Sequence, residues 1–280
     1  MRCIFWNIRG IANDKTQNRL SKLINKWDPD IVGIAEPMIN PRDISSAYLQ
    51  SLGMSASFYS NDRQNSAPNI WLLWKSTVST PTLLQQSSQQ ITVEVEGCLI
   101  TVVHAHCIYV QRRHLWNEIK QISSFNLPWL VLGDFNAYLS ILEKCGGNRP
   151  TAAALNDFRD CISESQLMEI PNTGFVYTWW NKQVGRFKIM GKLGRMLCNA
   201  EWCSKFQGWN YKVGSRICSD HSPILGSWRP MFQGPETCLS KFSICGAPIL
   251  ISRHCESKLG NSHLGHSIFI RLGLKRPRLL

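Results

Sequence analysis

Short apolar runs separated by polar breaks recur along the chain, and their spacing sorts them into strands and helices. Residues 2–8 read as a buried strand that ends in Trp6-Asn7-Ile8-Arg9-Gly10. Leu20, Leu23, Ile24 and Trp27 then follow helical spacing, so residues 14–27 are expected as a helix. Asp14 suits its cap, and Asp28-Pro29-Asp30 its stop. Ile31–Ala35 is the next strand, ending at Glu36-Pro37. A strand–helix–strand unit places its two strands parallel, which brings Asn7 and Glu36 to one edge of one sheet. Residues 40–68 are polar and show no usable period. Ile70–Trp74 is a strand. Residues 91–96 alternate with period two, which predicts one wet face, and Gly97-Cys98 turns them into a second strand over 99–106. Residues 111–125 are helical, with Leu115, Trp116, Ile119 and Ile122 inward. A core strand leads to Asp134, and 151–166 form a helix carrying Leu155, Phe158 and Ile162. Residues 175–180 are expected as a strand and 186–197 are mixed basic and apolar. The last clear strand runs through Ile224-Leu225.

The candidate chemistry sits at strand ends. In Leu130-Val131-Leu132-Gly133-Asp134-Phe135-Asn136 an apolar strand reaches a glycine that lets the backbone turn. At strand spacing Asp134 and Asn136 then point to one side. The same residues also suit an Asx turn that merely closes a strand. Asn7, Glu36, His104, Asp134, Asn136, Asp220 and His221 all fall at strand ends, where sites collect in layered α/β domains. Three carboxylates, two carboxamides and two histidines suit a hard divalent cation beside a phosphate. Each also has a plainer reading: Asn7 as a turn residue, Glu36 as a solvated acid, Asp220-His221 as an exposed turn before Pro223. His104 and His106 share a strand face as a metal pair could, or divide into one core and one pocket histidine.

Composition narrows these choices. The chain has 280 residues, 44% hydrophobic, with eleven Trp and eleven Phe, which argues for a packed domain and against disorder. Its net charge of +12 favours an anionic partner: nucleic acid, phosphoester or membrane surface. From residue 231 onward seven Lys/Arg face two Glu, a net +5, so residues 1–230 keep +7. We expect one α/β domain over 1–230 and an irregular basic tail over 231–280, in which Lys275-Arg276-Pro277-Arg278 is a weak nuclear-import candidate. Eleven cysteines without a Cys-x-x-Cys read as reduced core residues of an intracellular protein. No run has the ~20 apolar residues of a membrane span, and no signal peptide is visible.

In order along the chain, Trp6-Asn7-Ile8-Arg9-Gly10, Glu36-Pro37, Gly133-Asp134-Phe135-Asn136 and Ser219-Asp220-His221-Ser222-Pro223 resemble the motifs of the DNase I-like endonuclease/exonuclease/phosphatase family. The likeness is narrower still to the endonuclease domain of plant LINE-type (non-LTR) retrotransposons. Arg112-Arg113-His114-Leu115-Trp116, Glu143-Lys144-Cys145-Gly146-Gly147, Tyr177-Thr178-Trp179 and Leu197-Cys198-Asn199-Ala200-Glu201-Trp202 carry that part of it. It spans roughly residues 1–226. It implies a four-layer α/β/β/α sandwich and Mg²⁺-dependent DNA nicking, with Mn²⁺ as a substitute, DNA backbone as partner, no membrane, and a nuclear location. It also implies roles: Glu36 ligates the metal with help from Asp220, and Asp134 takes a proton from water. Asn136 positions water or phosphate, Asn7 holds a phosphate oxygen, and His221 donates to the scissile phosphate. Two other readings stay open, a non-catalytic nucleic-acid-binding relic and a phosphoesterase of small phosphorylated substrates.

Two departures stand out. The related pattern has an aspartate in Arg-Leu-Asp-Arg where this chain has Lys192-Leu193-Gly194-Arg195, so the carboxylate that would orient the catalytic histidine is absent at Gly194. Loss of such an orienting group reduces rate on the order of 10²–10⁴-fold. His104 stands where the pattern has a phosphate-contacting tyrosine, a milder change because histidine still donates. Both read as drift in a degraded element copy.

Overall fold

The computed structural model describes residues 1–63, 66–228, 242–244 and 247–249. In chain order the strands are β1 (Cys3–Asn7), β2 (Ile31–Ala35), β3 (Tyr59–Ser60), β4 (Ile70–Trp74), β5 (Thr82–Gln86), β6 (Gln90–Val95), β7 (Cys98–His104) and β8 (Trp129–Asp134). They continue with β9 (Lys144–Cys145), β10 (Met168–Glu169), β11 (Asn172–Gly174), β12 (Trp179–Trp180), β13 (Met190–Gly191), β14 (Gly194–Cys198), β15 (Asn210–Val213) and β16 (Ile224–Ser227). The α-helices are α1 (Asp14–Trp27), α2 (Ser46–Ser51), α3 (Arg112–Ile122), α4 (Ala152–Glu164) and α5 (Ala200–Lys205).

One sheet runs β11-β15-β16-β1-β2-β4-β3 and a second β10-β14-β8-β7-β6-β5, with a small ribbon β12-β13-β9 at one end. Alternation along β1 shows how they stack. Cys3 and Phe5 pack with Leu72, Ile100, Val102, Leu130 and Leu132 between the two sheets. Ile4 and Trp6 pack on the other face with Leu20, Leu23 and Ile24 of α1 and Leu49 of α2. On the outer face of the second sheet, Val103, Trp129 and Val131 meet Leu115, Trp116 and Ile119 of α3 and Phe158 of α4. Strands buried on both faces and helices on each outside make a four-layer α/β/β/α sandwich. No helix among the described residues is long and apolar enough to cross a membrane.

The parallel β1–β2 pair forms as expected, with Asn7 opposite Ala35. Several local expectations need correction. The cap of α1 is Asn13, whose side chain accepts from Thr16 N, and Asp14 is the first helical residue. Gly133 does not end its strand: β8 continues through Asp134. Glycine is needed there because a Cβ would lie 2.2 Å from Val103 O of the adjoining strand. The expected wet face holds in part: Glu94 is half-buried and Glu96 exposed, but Thr92 is buried. Thr92 Oγ1 lies 2.7 Å from Gln90 Oε1 and 2.9 Å from Thr101 Oγ1, so these oxygens bond to one another inside the fold. The hairpin turns at Glu96-Gly97, both at positive φ, and Cys98 already pairs with Val95. β7 stops at His104, so His106 is a loop residue whose Nδ1 accepts from Ile108 N. Of 175–180 only β12 is strand, with Phe175 and Val176 exposed. Ile162 is only partly buried, and Cys161 takes the core position.

Among the described residues the cysteines are free, and four of them (Cys3, Cys98, Cys161, Cys198) are buried. The chain divides into two units, Met1–Met231 and Phe232–Leu280. In the second, Phe242–Ile244 pairs antiparallel with Ala247–Ile249. The remainder of the expected basic tail lies outside the described residues.

A buried charge network fastens β14 to its surroundings. Arg195, fully buried, donates to Glu143 Oε2 at 2.8 Å and Glu169 Oε2 at 3.1 Å, and Lys192 Nζ sits 2.5 Å from Glu169. Arg195→Met would leave the partly buried Glu143 without its cation, while Glu169 keeps Lys192, and is expected to lower stability by about 3 kcal/mol in urea titration. Burial alone raises the Glu169 carboxyl, but Arg195 and Lys192 outweigh it and hold it below its ordinary 4.5. Its contribution is therefore complete above pH 4.5 and lost as pH falls through the lower folded value. Glu169→Gln is expected to flatten that part of the acid limb.

Candidate active site

The segments that follow β1, β2, β7 and β8 meet the one that precedes β16. At the end of β1, Asn7 is buried and its Nδ2 donates to Glu36 Oε1 at 2.8 Å and to Asp134 Oδ2 at 3.1 Å, joining the two sheets. That fixes the amide orientation, and Asn7 Oδ1 is left buried without a hydrogen-bond partner. A free acceptor suits a cation or water better than the phosphate oxygen expected of Asn7.

Glu36 follows β2 with φ 51°, and Arg9 follows β1 with φ 52°. Left-handed backbone costs a non-glycine residue about 1–2 kcal/mol. Bonds between the two chain segments impose it: Ile8 N to Ala35 O, Gly10 N to Glu36 O and Ile11 N to Pro37 O, each 2.9 Å. Burial by itself raises the Glu36 carboxyl, but hydrogen bonds from His104 and Asn7, and the charge of Arg9, bring it down to about 2. Glu36 is therefore ionised.

His104 Nε2 lies 3.2 Å from Glu36 Oε1. Its tautomer follows from two asparagines that sequence reasoning missed. Asn61 Oδ1 accepts from the backbone of Asn69 and Ile70, which turns Asn61 Nδ2 toward Asn69 Oδ1. Asn69 Nδ2 then faces His104 Nδ1 at 2.7 Å, leaving Nε2 as the donor to Glu36.

Asp134 is 1% exposed. In register it stands between His104 of β7 and Gly194 of β14. Its Oδ1 accepts from Asn136 N at 3.2 Å, and Asn136 Nδ2 donates to Ala105 O at 2.8 Å. Its Oδ2 also lies 3.3 Å from His221 Nδ1. His221 is buried, with its carbonyl held by Trp6 Nε1 and its N–H by Ser219 Oγ. Burial pushes the imidazole below its ordinary value, while the charges of Asp134 and Asp220 pull it back up. Among the described residues, Asp134 is the carboxylate within bonding distance of His221.

Asp220 accepts from Arg9 Nε at 3.2 Å and from Trp179 Nε1 at 3.1 Å. Arg9 Nη1 is also 3.1 Å from Glu36 Oε2, so one guanidinium spans both carboxylates. The seven candidates thus lie in one connected network, through bonds that also enlist Arg9, Asn69, Trp179 and Ser219. Arg9, Trp179 and Ser219 carried no signal beyond lying in a motif, and Asn69 carried none.

For a hard cation the donor set is suitable: ionised Glu36, Asp220, and the orphaned Asn7 Oδ1, with a guanidinium already standing as the positive charge between the carboxylates. No group of three His, Cys, Asp or Glu side chains among the described residues makes a closed metal cage. Mg²⁺ does not require one, since it takes one or two carboxylates and keeps water and phosphate oxygen in its shell.

The rim is basic and apolar. The loop joining β12 to β13 exposes Val184 at 77% and Phe187 at 60%, with Arg186 over the Phe187 ring and Lys182 and Lys188 alongside. Trp180 N bonds to Asp220 O at 3.1 Å, which roots this hairpin at the site.

The fold is shared with solved nucleases. It is similar to a 3'-5' exonuclease from Neisseria meningitidis (TM-score 0.66, 15% identity, covering 81% of this chain and 99% of that one). It is similar to an AP endonuclease from Archaeoglobus fulgidus (0.63, 11%, 81% and 98%). It also matches the endonuclease domain of TRAS1, a telomere-specific non-LTR retrotransposon (0.58, 14%, 82% and 99%). At such identities the likeness is one of fold. A profile of a hydrolase family of nucleases and phosphatases matches residues 4–221. The chain therefore belongs to the Endonuclease/Exonuclease/phosphatase family.

Proposed function

We propose that the chain is a Mg²⁺-dependent DNA-nicking endonuclease of the LINE retrotransposon type, weakened by the glycine at position 194. The observation that carries this reading is the bonded set Asn7–Glu36–Asp134–His221, which spans both sheets at one edge. Support also comes from the net charge of +12, the basic and aromatic hairpin, and the fold shared with the TRAS1 domain.

Glu36 and Asp220, with Asn7 Oδ1, would hold the metal. When bound, Mg²⁺ supplies positive charge at the scissile phosphate. Asp134 accepts a proton from the attacking water, and Asn136 keeps its orientation through its own backbone N–H. His221 presents Nε2 to the phosphate, because Nδ1 is taken by Asp134. In the plainer division of labour a separate carboxylate would orient His221. Here Asp134 serves both purposes, and a base that already holds an imidazole N–H is a poorer proton acceptor.

That doubled role also favours a second reading, a nucleic-acid-binding relic without catalysis. Supercoiled plasmid separates the two. Slow nicking in Mg²⁺, absent in EDTA and absent in Glu36→Ala, is the result expected. Salt-dependent DNA retention with no nicking above the EDTA background would leave the binding reading.

A further inference from the structure

Among the described residues, Arg9 is the cation that touches both candidate metal carboxylates. Its Nη1 lies 3.1 Å from Glu36 Oε2 and its Nε 3.2 Å from Asp220 Oδ1. The contact is built into the backbone, because Arg9 and Glu36 are both locked in the left-handed region by the bonds between their segments. The Arg9 side chain is 41% exposed, against 17% for Glu36 and 15% for Asp220, so its solvent side is open to movement while its partners are fixed.

Arg9 also lines a cavity of about 570 Å³, together with Lys15, Arg19 and Lys22 of α1. Arg19 Nε is buried there without a hydrogen-bond partner. The wall is otherwise neutral, with Asn13, Thr16, Asn18, Ile217 and Cys218. Like charges in the cavity push the Arg9 guanidinium toward the carboxylates, and an anion in the cavity would draw it back.

We propose that Arg9 is a tethered counter-cation that occupies the space between Glu36 and Asp220 until a divalent ion displaces it toward the α1 cavity, and that it thereby sets the metal affinity of the site. This inference rests on the assignment of Glu36 and Asp220 as metal ligands. Its physical content is competition. A site that is open only in a minor conformation binds with an affinity reduced by the fraction open. Removing the competitor raises the apparent affinity by the ratio of bridged to open forms. For two part-exposed charge-assisted contacts that ratio is on the order of 10, equivalent to ~1.4 kcal/mol. An anionic phosphodiester in the cavity would stabilise the displaced guanidinium, so substrate and metal would favour each other's binding.

The test is Mn²⁺ binding to the 280-residue chain without DNA, read from the free-Mn²⁺ electron paramagnetic resonance signal. Wild type, Arg9→Gln, Arg9→Lys and Glu36→Gln are compared. Arg9→Gln is expected to bind Mn²⁺ about 10-fold more tightly. Arg9→Lys should fall between it and wild type, because an ammonium cannot span both carboxylates as a fork does. Glu36→Gln should abolish the binding. Unchanged or weaker binding in Arg9→Gln, with Glu36→Gln still abolishing it, overturns the role of Arg9 and leaves the metal site standing. Mn²⁺ binding indifferent to Glu36→Gln overturns both.

Discussion

Gly194→Asp is expected to raise Mg²⁺-dependent plasmid nicking on the order of 10²–10⁴-fold. Gly194 sits directly across from Asp134 in an antiparallel pair, so a side chain at 194 emerges on the face that carries Asp134 and His221. The backbone already accommodates it. A Cβ at 194 would lie 3.5 Å from Thr178 Oγ1 and 3.6 Å from Thr178 Cβ, which is ordinary contact. Thr178 Oγ1 accepts from both Leu193 N and Gly194 N, so the strand start is held in place whichever residue occupies it. A second carboxylate there would take over His221 and free Asp134 for the water. The check is the initial nicking rate of the two proteins at equal concentration. Equal rates would remove the role given to position 194.

The second large effect is a loss. Asp134→Asn keeps the size and leaves Oδ1 able to accept from Asn7 or Asn136, but it cannot take a proton from water. Nicking is expected to fall on the order of 10²–10⁴-fold, measured in the Gly194→Asp background where the starting rate is higher. The fold is expected to persist, since a buried carboxylate replaced by its amide removes a desolvated charge. Circular dichroism melting checks that. A drop in nicking accompanied by unfolding would assign Asp134 to structure alone.

Much of this architecture was legible in the sequence, for a reason visible in β1, α1, β2 and β8. Those elements are short, strongly apolar and bounded by Asn, Asp or Gly, so pattern and boundary agree. What failed were inferences from one cue. Period two in β6 marks polarity, and polarity predicts exposure, which holds toward Glu94 and Glu96 but not at Thr92, which is buried and bonded to Gln90 and Thr101. Gly133 was read as a turn, whereas its absent Cβ serves the close approach of Val103. Residues 40–68 hid α2, β3 and Asn61: of α2 only Leu49 is buried, too little for a period, and Asn61 is held by tertiary hydrogen bonds.

The candidate site was legible as a set of residues but not as a network. Asn7, Glu36, Asp134 and His221 were marked by strand ends and motif order. Their bonds were not, because they depend on register between two sheets. The guanidinium of Arg9 across Glu36 and Asp220 depends on two backbone conformations that sequence does not announce. The direction of the Asn7 amide likewise comes only from having two carboxylates on one side of it.

The most direct measurement compares relaxation of supercoiled plasmid by the Gly194→Asp protein with that by the Gly194→Asp, Glu36→Ala double variant, each in Mg²⁺ and in EDTA. Nicking by the first protein in Mg²⁺ alone, and none by the second, is the predicted result. Nicking that survives Glu36→Ala, or DNA left intact by both proteins, would contradict a hydrolytic site assembled from residues 7 to 221.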